Sequence, residues 1–481
     1  MTAHGRTTAP TTIDDLRKRH GPNFRWLVLL TVMVGMMASI MSSTIVNVAV
    51  PDMSRYFQIG QDRAQWISAA FMAATTLSLL LTPWLLQRYG LRKTYVGANL
   101  LLMIGGIVGG LSGNYPVMIA MRVIEGVAAG ILMPIPNVVI MREFPGDEQG
   151  RAIGIFGFGV VLAPAIGPVV GGMLVEHFGW RSIFFVVVPF CVVALEMARR
   201  YLPVVSSFVT TPKPFDWTGL GLATCATLAV LNGLVDLQGG KTVQAAILLA
   251  GGVAAFGAFA FHQLRAAHPL LQMRLFTHRP FTMGAIVAFV YGIGLFGSTY
   301  LLPIYLQAAL DYSPSRAGLV LLPAGLAMAI TMPVAGRLAD KLRASRLVAA
   351  GLVLLAVSTV LTATESSQTS VFVLIAWVVI GRIGIAIVMP ALSLGSMRGL
   401  APAEIPQAAS MGNFLRQLGG AVGVSLVGIL LERRLAAHGV TLLGVGGDAA
   451  RIHAFDETFL LLAAIMLPAI VAAWFMEPKK G

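Results

Sequence analysis

Two side chains inside one apolar run are suited to move a proton. Arg122 and Glu125 lie three residues apart in the stretch that begins near residue 117, and that spacing puts both on the same face of a helix. A lone ion at the centre of a bilayer costs roughly 3 kcal/mol even on the lower scales, so an intramembrane charge marks function or a partner. Burial favours the neutral form of Glu125, and a nearby guanidinium favours the charged form. Moving Arg122 away would let the carboxyl take up a proton, and its return would expel it. The same two residues also fit a permanently paired, charge-neutral clamp between helices.

Other ionisable groups are sparse in the apolar runs. Arg382 and Arg416 are the remaining intramembrane cations, whereas Glu196, Asp236, Glu432 and Glu457 fall near the ends of runs. An excess of buried arginine over acid favours anionic or neutral amphiphiles over lipophilic cations, unless the long arginine stems carry their heads to the interface. The eight histidines fall in tails, loops or run ends, so no imidazole relay is visible. Met33, Met36, Met37 and Met41 share one broad face of the first run. Such thioether surfaces suit promiscuous binding and equally well fill gaps in packing. There is no nucleophile, base and metal constellation and no glycine-rich phosphate loop of the Walker type. The sequence therefore predicts no enzyme, no metal and no cofactor.

The elements that hold these residues are membrane spans. With 57% hydrophobic and 11% charged residues in 481 positions, the chain has about half the charge of a soluble globule. Its net charge of +13 is scattered through short loops, which suits a cytoplasmic membrane face and not nucleic acid. Cys191 and Cys225 both sit in apolar runs, so neither a disulfide framework nor a metal site is expected. Windows of about twenty apolar residues predict fourteen spans, starting near residues 26, 66, 95, 117, 152, 182, 217, 243, 281, 317, 347, 371, 408 and 457. A cytoplasmic N-terminus places most Lys and Arg inside, and an even number of spans returns Lys479 and Lys480 to the same side.

The chain also repeats itself. Pro83-Trp-Leu-Leu-Gln-Arg-Tyr-Gly-Leu-Arg-Lys93 after the second span is echoed by Gly336-Arg-Leu-Ala-Asp-Lys-Leu-Arg343 after the tenth. Gly130-Ile-Leu-Met-Pro134 is echoed by Ala386-Ile-Val-Met-Pro390. A duplicated six-span unit with the seventh and eighth spans inserted accounts for both echoes, and such repeats place a substrate site near the midplane. Pro203 to Pro214 reads as the linker out of the first half.

The fifth span, Gly154 to Leu174, is crowded with helix-weakening residues. Gly159, Ala163, Gly167 and Gly171 line one side, where another backbone can approach closely, and Pro164 and Pro168 bend it. Its Ala163-Pro-Ala-Ile-Gly-Pro-Val-Val-Gly-Gly172 resembles the antiporter motif of the major facilitator superfamily, an alternative being an ordinary glycine packing face. Both loop echoes resemble that superfamily's Gly-x-Leu-Ala-Asp-Arg-x-Gly-Arg-Lys pattern. With fourteen spans, and with Thr44-Ile-Val-Asn-Val-Ala-Val-Pro51, Gln65-Trp66, Arg122-Val-Ile-Glu-Gly126, Trp180-Arg181, Phe215-Asp-Trp-Thr-Gly219, Leu302-Pro-Ile-Tyr-Leu-Gln307 and Arg416-Gln-Leu-Gly-Gly420, the chain resembles the drug:proton antiporter branch, the EmrB/QacA type.

The resemblance implies an all-α polytopic membrane protein of the major facilitator fold. A cytoplasmic tail (1–24) precedes a six-helix bundle (25–202). A linker with two inserted helices (203–280), a second six-helix bundle (281–476) and a short cytoplasmic tail (477–481) follow. It implies proton-coupled efflux of amphipathic small molecules by alternating access in a bacterial inner membrane. Substrate, protons and membrane lipids are the partners, and a periplasmic adaptor is left open. Proton coupling falls to Glu125 with Arg122. The substrate cavity falls to Met37, Met41, Asn47, Phe71, Tyr291, Tyr300, Gln307, Arg382, Asn413 and Arg416. The antiporter motif comprises Pro164, Gly167, Pro168, Gly171 and Gly172, and a cytoplasmic gate comprises Arg88, Gly90, Arg92, Lys93, Gly336 and Asp340.

The chain departs from the branch at four places. Ser42 stands where an acid is expected in the first span, Gln87 replaces the acid of the first loop, and Val187 an asparagine. The position of Glu125 usually carries glutamine. An exporter of lipid or fatty acid with weak or no proton coupling fits the loss at Ser42, and a non-transporting scaffold or receptor is a further alternative.

Overall fold

The computed structural model describes residues 13–203, 214–365, 370–442 and 448–477. The interior of the expected linker and the two chain ends lie outside the described residues. Every described element is helical: α1 (Ile13–His20), α2 (Phe24–Phe57), α3 (Gln61–Ser78), α4 (Thr82–Leu111), α5 (Tyr115–Leu132), α6 (Ile135–Glu143), α7 (Gln149–Phe178), α8 (Ser182–Phe185), α9 (Val187–Tyr201), α10 (Trp217–Gln238), α11 (Thr242–Arg265), α12 (Arg279–Ile304), α13 (Pro314–Lys341), α14 (Ala344–Thr362), α15 (Val371–Met397), α16 (Ile405–Ala437) and α17 (Asp448–Trp474). A backbone in hydrocarbon has no partner but itself, which forces this choice.

Among the described residues 12 helical stretches are long and apolar enough to cross a membrane. One of them, Arg63–Leu111, has 49 residues, about 74 Å at 1.5 Å per residue and more than twice a bilayer core. It is broken at Gly90, whose φ of 78° and ψ of 171° are not helical and favour a residue without Cβ. The stretch is thus long enough for two crossings. Helix α7 is not among the twelve: the side chains of Ala165, Ile166, Pro168 and Val169 lie outside the described residues, and Gln149–Pro164 is its fully described apolar part.

The chain divides into two compact units, Met1–Phe144 with Ile166–Phe215 and Pro145–Ala165 with Asp216–Gly481, so the division falls inside α7. In the first unit, glycines set the helix spacing. A Cβ on Gly126 or Gly130 of α5 would strike the carbonyl of Phe71 or Thr75 on α3, so backbones meet directly, as small residues permit in lipid. Polar side chains lock the register. The Tyr95 hydroxyl donates to Thr31 O at 2.5 Å and accepts from Gly35 N at 3.1 Å, and Thr82 Oγ1 donates to Ile131 O at 3.1 Å.

The second unit uses the same devices. Gly419 of α16 lies against the Phe289 carbonyl of α12, and Gly351 of α14 and Gly384 of α15 approach each other's backbone. Asp216 caps α10 by accepting from Gly219 N at 2.8 Å. The same carboxylate lies 2.8 Å from His262 Nε2 and accepts from Gln263 Nε2 at 2.8 Å, tying α10 to α11. Burial raises the Asp216 pKa, but the bonds from Gly219, His262 and Gln263 together outweigh it and leave the carboxyl below its ordinary value. Exposed apolar side chains such as Val243, Ile247 and Phe261 on α11 suit a lipid-facing surface.

Candidate functional site

The first unit brings the two predicted charges together. Asn114 caps α5 by accepting from Val117 N at 3.0 Å, with Pro116 in the first turn, where its missing N–H costs nothing. One turn further in, Arg122 and Glu125 are both fully buried. Arg122 Nη1 donates to Glu125 Oε2 at 2.5 Å. The same nitrogen donates to Ser42 Oγ at 3.2 Å, and Arg122 Nε donates to Ile67 O at 2.9 Å. The guanidinium carbon stands 4.4 Å from the centre of the Phe71 ring. One cation thus gathers α2, α3 and α5.

Space for the carboxylate comes from α4. A Cβ on Gly105 would lie 2.5 Å from Glu125 Cγ, and one on Gly106 would lie 3.6 Å from Glu125 Oε1 and 3.0 Å from Phe184 O. The pair is incompletely satisfied: Arg122 Nη2 and Glu125 Oε1 are buried without a hydrogen-bond partner. A buried donor and acceptor left open in this way cost about 1–3 kcal/mol each, so the pair has something to gain from rearranging.

Sequence reasoning found Arg122, Glu125 and Phe71 but missed this use of Ser42, Ile67, Gly105 and Gly106. Ser42 stood out only as an absent acid. The structure puts it against Arg122, so that a carboxylate at position 42 or at position 125 would meet the same guanidinium. The double glycine in Ile104-Gly-Gly-Ile107 was the available signal for a close approach.

The other predicted residues are distributed as follows. Met41 is buried and Met37 half-buried on α2, and Asn47 is exposed and accepts from Ser68 Oγ at 2.7 Å. In the second unit Tyr291 is buried with its hydroxyl donating to Ile385 O at 3.1 Å. Tyr300 is half-buried, and Gln307 is exposed with Nε2 donating to Pro303 O at 3.1 Å. Arg382 Nη1 donates to Thr299 Oγ1 at 2.9 Å, and Arg416 Nη2 donates to Asn413 Oδ1 at 2.9 Å. No carboxylate pairs with Arg382 among the described residues.

On α7, Cβ atoms on Gly167 and Gly171 would lie 2.8 Å from Thr44 Oγ1 and 2.7 Å from Ile45 Cγ1 of α2, whereas Gly172 faces open space and Pro164 is exposed. The Pro168 side chain lies outside the described residues. The expected close-packed face therefore includes Gly167 and Gly171. Of the loop residues, Arg88 lies over Trp84 at 5.2 Å and Tyr89 at 5.6 Å, Arg92 is half-buried, and Lys93 is exposed. Asp340 holds the start of α7: Oδ1 accepts from Gly150 N at 2.5 Å and Oδ2 from Arg151 N at 2.8 Å. Gly336 makes room for this by lying against the Gly150 carbonyl.

A family model described as Major Facilitator Superfamily matches residues 32–424. The chain is 30% identical to the multidrug resistance protein B homolog of Mycobacterium tuberculosis (strain CDC 1551 / Oshkosh), covering 94% of this chain and 91% of that one. It is also 30% identical to the riboflavin transporter RibZ of Clostridioides difficile (strain 630), covering 75% of this chain and 78% of that one. Among solved structures, that of the human organic anion transporter MFSD10 (TETRAN) superposes with a TM-score of 0.67 at 16% identity, over 92% of this chain and 99% of the other, a likeness of fold alone.

Proposed function

This chain belongs to the major facilitator superfamily and is a multi-pass membrane transporter, and from that premise we propose that it exports amphipathic small molecules by alternating access, driven by protons taken up at Glu125. In this reading the chain crosses a bacterial inner membrane fourteen times with both termini in the cytoplasm. Residues 25–202 and 281–476 are the two rocking bundles, and the helices within 203–280 are an insert.

The observation that carries the reading is the buried cluster of Arg122, Glu125 and Ser42. With the guanidinium in place, the Glu125 carboxylate is charged and paired. A rearrangement of the two side chains that opens the pair leaves Arg122 with the Ile67 and Ser42 carbonyls, already at 2.9 and 3.4 Å. Both ions then have an escape: the cation keeps backbone acceptors, and the acid takes a proton from water entering the opened side. Return of the guanidinium expels that proton. The acid at position 125 compensates for Ser42, because the two positions flank the same cation.

The name of the Mycobacterium relative supports a drug-like cargo and that of the Clostridioides relative a vitamin, so the cargo class rests on the apolar residues expected at the cavity, among them Met37, Met41 and Phe71. A second reading, export of a lipid or fatty acid without proton coupling, is favoured by Ser42 itself. Purified chain in liposomes with an acid lumen distinguishes the two. Accumulation of a fluorescent amphiphile that requires the pH step supports antiport; equal movement of a lipid reporter without the step supports the second reading. No movement of either contradicts both.

A further inference from the structure

The second unit contains a narrow cleft between α12, α14, α15 and α17 whose polar lining is Ser298, Ser358, Thr359, Thr362 and Arg382. Its place in the fold follows from the internal repeat. Pairing Gly130 with Ala386 pairs Glu125 with Gly381 and Gly126 with Arg382. The packing agrees: Gly105 faces Glu125 in the first unit, and Ser358 faces Gly381 in the second, where a Cβ on Gly381 would lie 2.5 Å from Ser358 Oγ. Phe184 lies against Gly106 and Gly109 in the first unit, and Phe459 lines the cleft beside Thr359 and Thr362 in the second.

The two units therefore solve the same position differently. In the first, three glycines admit the Glu125 carboxylate and the Phe184 ring. In the second, glycine replaces the acid and hydroxyls replace the glycines, and the cation stands four residues, about one turn, further along the helix. Among the described residues Arg382 has a single hydrogen-bond partner, the Thr299 hydroxyl. The sequences of α12, α14 and α15 contain no acidic residue, and the acids of α17, Asp456 and Glu457, form no ion pair with Arg382 among the described residues. A cation in hydrocarbon without one is costly. The hydroxyls donate to backbone carbonyls of their own helices or, from Ser358, to Trp377 O. A hydroxyl rotates freely, and those carbonyls already belong to a helix, so each can turn its proton toward an anion at little loss.

We propose that this cleft binds a compact carboxylate, with Arg382 as its counter-ion and the hydroxyls of Ser298, Ser358, Thr359 and Thr362 around it. The bound carboxylate does for the second unit what Glu125 does for the first. The site goes beyond proton coupling at Glu125 and stands without it, and binding is read here without transport. A free small carboxylate and the head of an amphipathic one share the same chemistry.

The test is the melting temperature of the purified full chain in detergent against increasing acetate, hexanoate or neutral acetamide, at ionic strength fixed with sodium sulfate. Ligands that bind the folded state raise it saturably. Acetate raises it and acetamide does not, and Arg382→Gln loses the response. Half-saturation by hexanoate at a concentration tenfold or more below that of acetate identifies an amphipathic ligand, and equal values a free carboxylate. The double variant Ser358→Gly with Gly381→Glu, which places a carboxylate at the cleft, supplies an internal counter-charge and abolishes the response. It carries the test if Arg382→Gln does not fold. An acetate effect no larger than that of acetamide in the unaltered protein, or one undiminished in a folded variant, overturns the proposal.

Discussion

The Ser42 hydroxyl lies 3.2 Å from Arg122 Nη1, on the guanidinium that Glu125 also holds. Two positions on different helices thus compete for one cation. In water such a pair would contribute little; fully buried, removing either member leaves the other uncompensated.

Exchangeability of the two positions is directly testable. If either can supply the acid, Glu125→Gln combined with Ser42→Asp restores pH-driven transport to within about tenfold of the unaltered chain, whereas Glu125→Gln alone loses about a hundredfold or more, in line with losing a general acid–base group. Substrate uptake by liposomes measured for all three proteins checks this. A double variant as inactive as the single one contradicts it.

Arg122 is predicted to matter for folding as well as for coupling. Arg122→Ala leaves Glu125 buried and alone, at a cost of about 3–5 kcal/mol, and Arg122→Ala with Glu125→Gln recovers most of that loss. Thermal unfolding of the four proteins in one detergent measures the coupling. Additive losses contradict the pairing.

Asp340 caps the first turn of α7 through the amides of Gly150 and Arg151. Asp340→Ala removes both acceptors and the favourable charge at a helix N-terminus, a loss of about 1–2 kcal/mol, while Asp340→Asn retains part of the capping. Amide hydrogen exchange at the start of α7 is expected to rise in the order unaltered, Asn, Ala. Unchanged exchange contradicts the assignment.

The Asp216 knot gives a pH dependence of known sign. Its carboxyl titrates below the ordinary 3.8, so the unfolded chain binds the proton more readily and the ionised form stabilises the folded one. That contribution is complete above the ordinary aspartate range and fades as pH falls through the depressed value. Melting temperatures of the unaltered chain and Asp216→Asn therefore differ at neutral pH and converge in acid. A gap that widens in acid reverses the sign and contradicts the account.

The sequence made Arg122 and Glu125 legible because their meeting is local: residues three apart on a helix must share a face. The apolar runs likewise announced helices. What stayed hidden depends on which helices touch. Nothing in the local pattern of α2 says that Ser42 faces α5, or that the double glycine of α4 opens onto Glu125. Asp340 was expected at a gate, yet its partners, two amides about 190 residues away, became visible only in three dimensions. Gly90 was expected in a loop at the gate, but the positive φ by which it separates two helices in one continuous stretch was not legible in the sequence.

The most direct measurement of proton coupling is substrate accumulation by the Glu125→Gln protein in liposomes under an imposed pH step, beside its exchange of substrate with no step. The account predicts that pH-driven accumulation is lost while exchange between loaded and unloaded liposomes continues. Accumulation equal to that of the unaltered chain would show that the Glu125 carboxyl carries no proton and that its pairing with Arg122 is a fixed clamp.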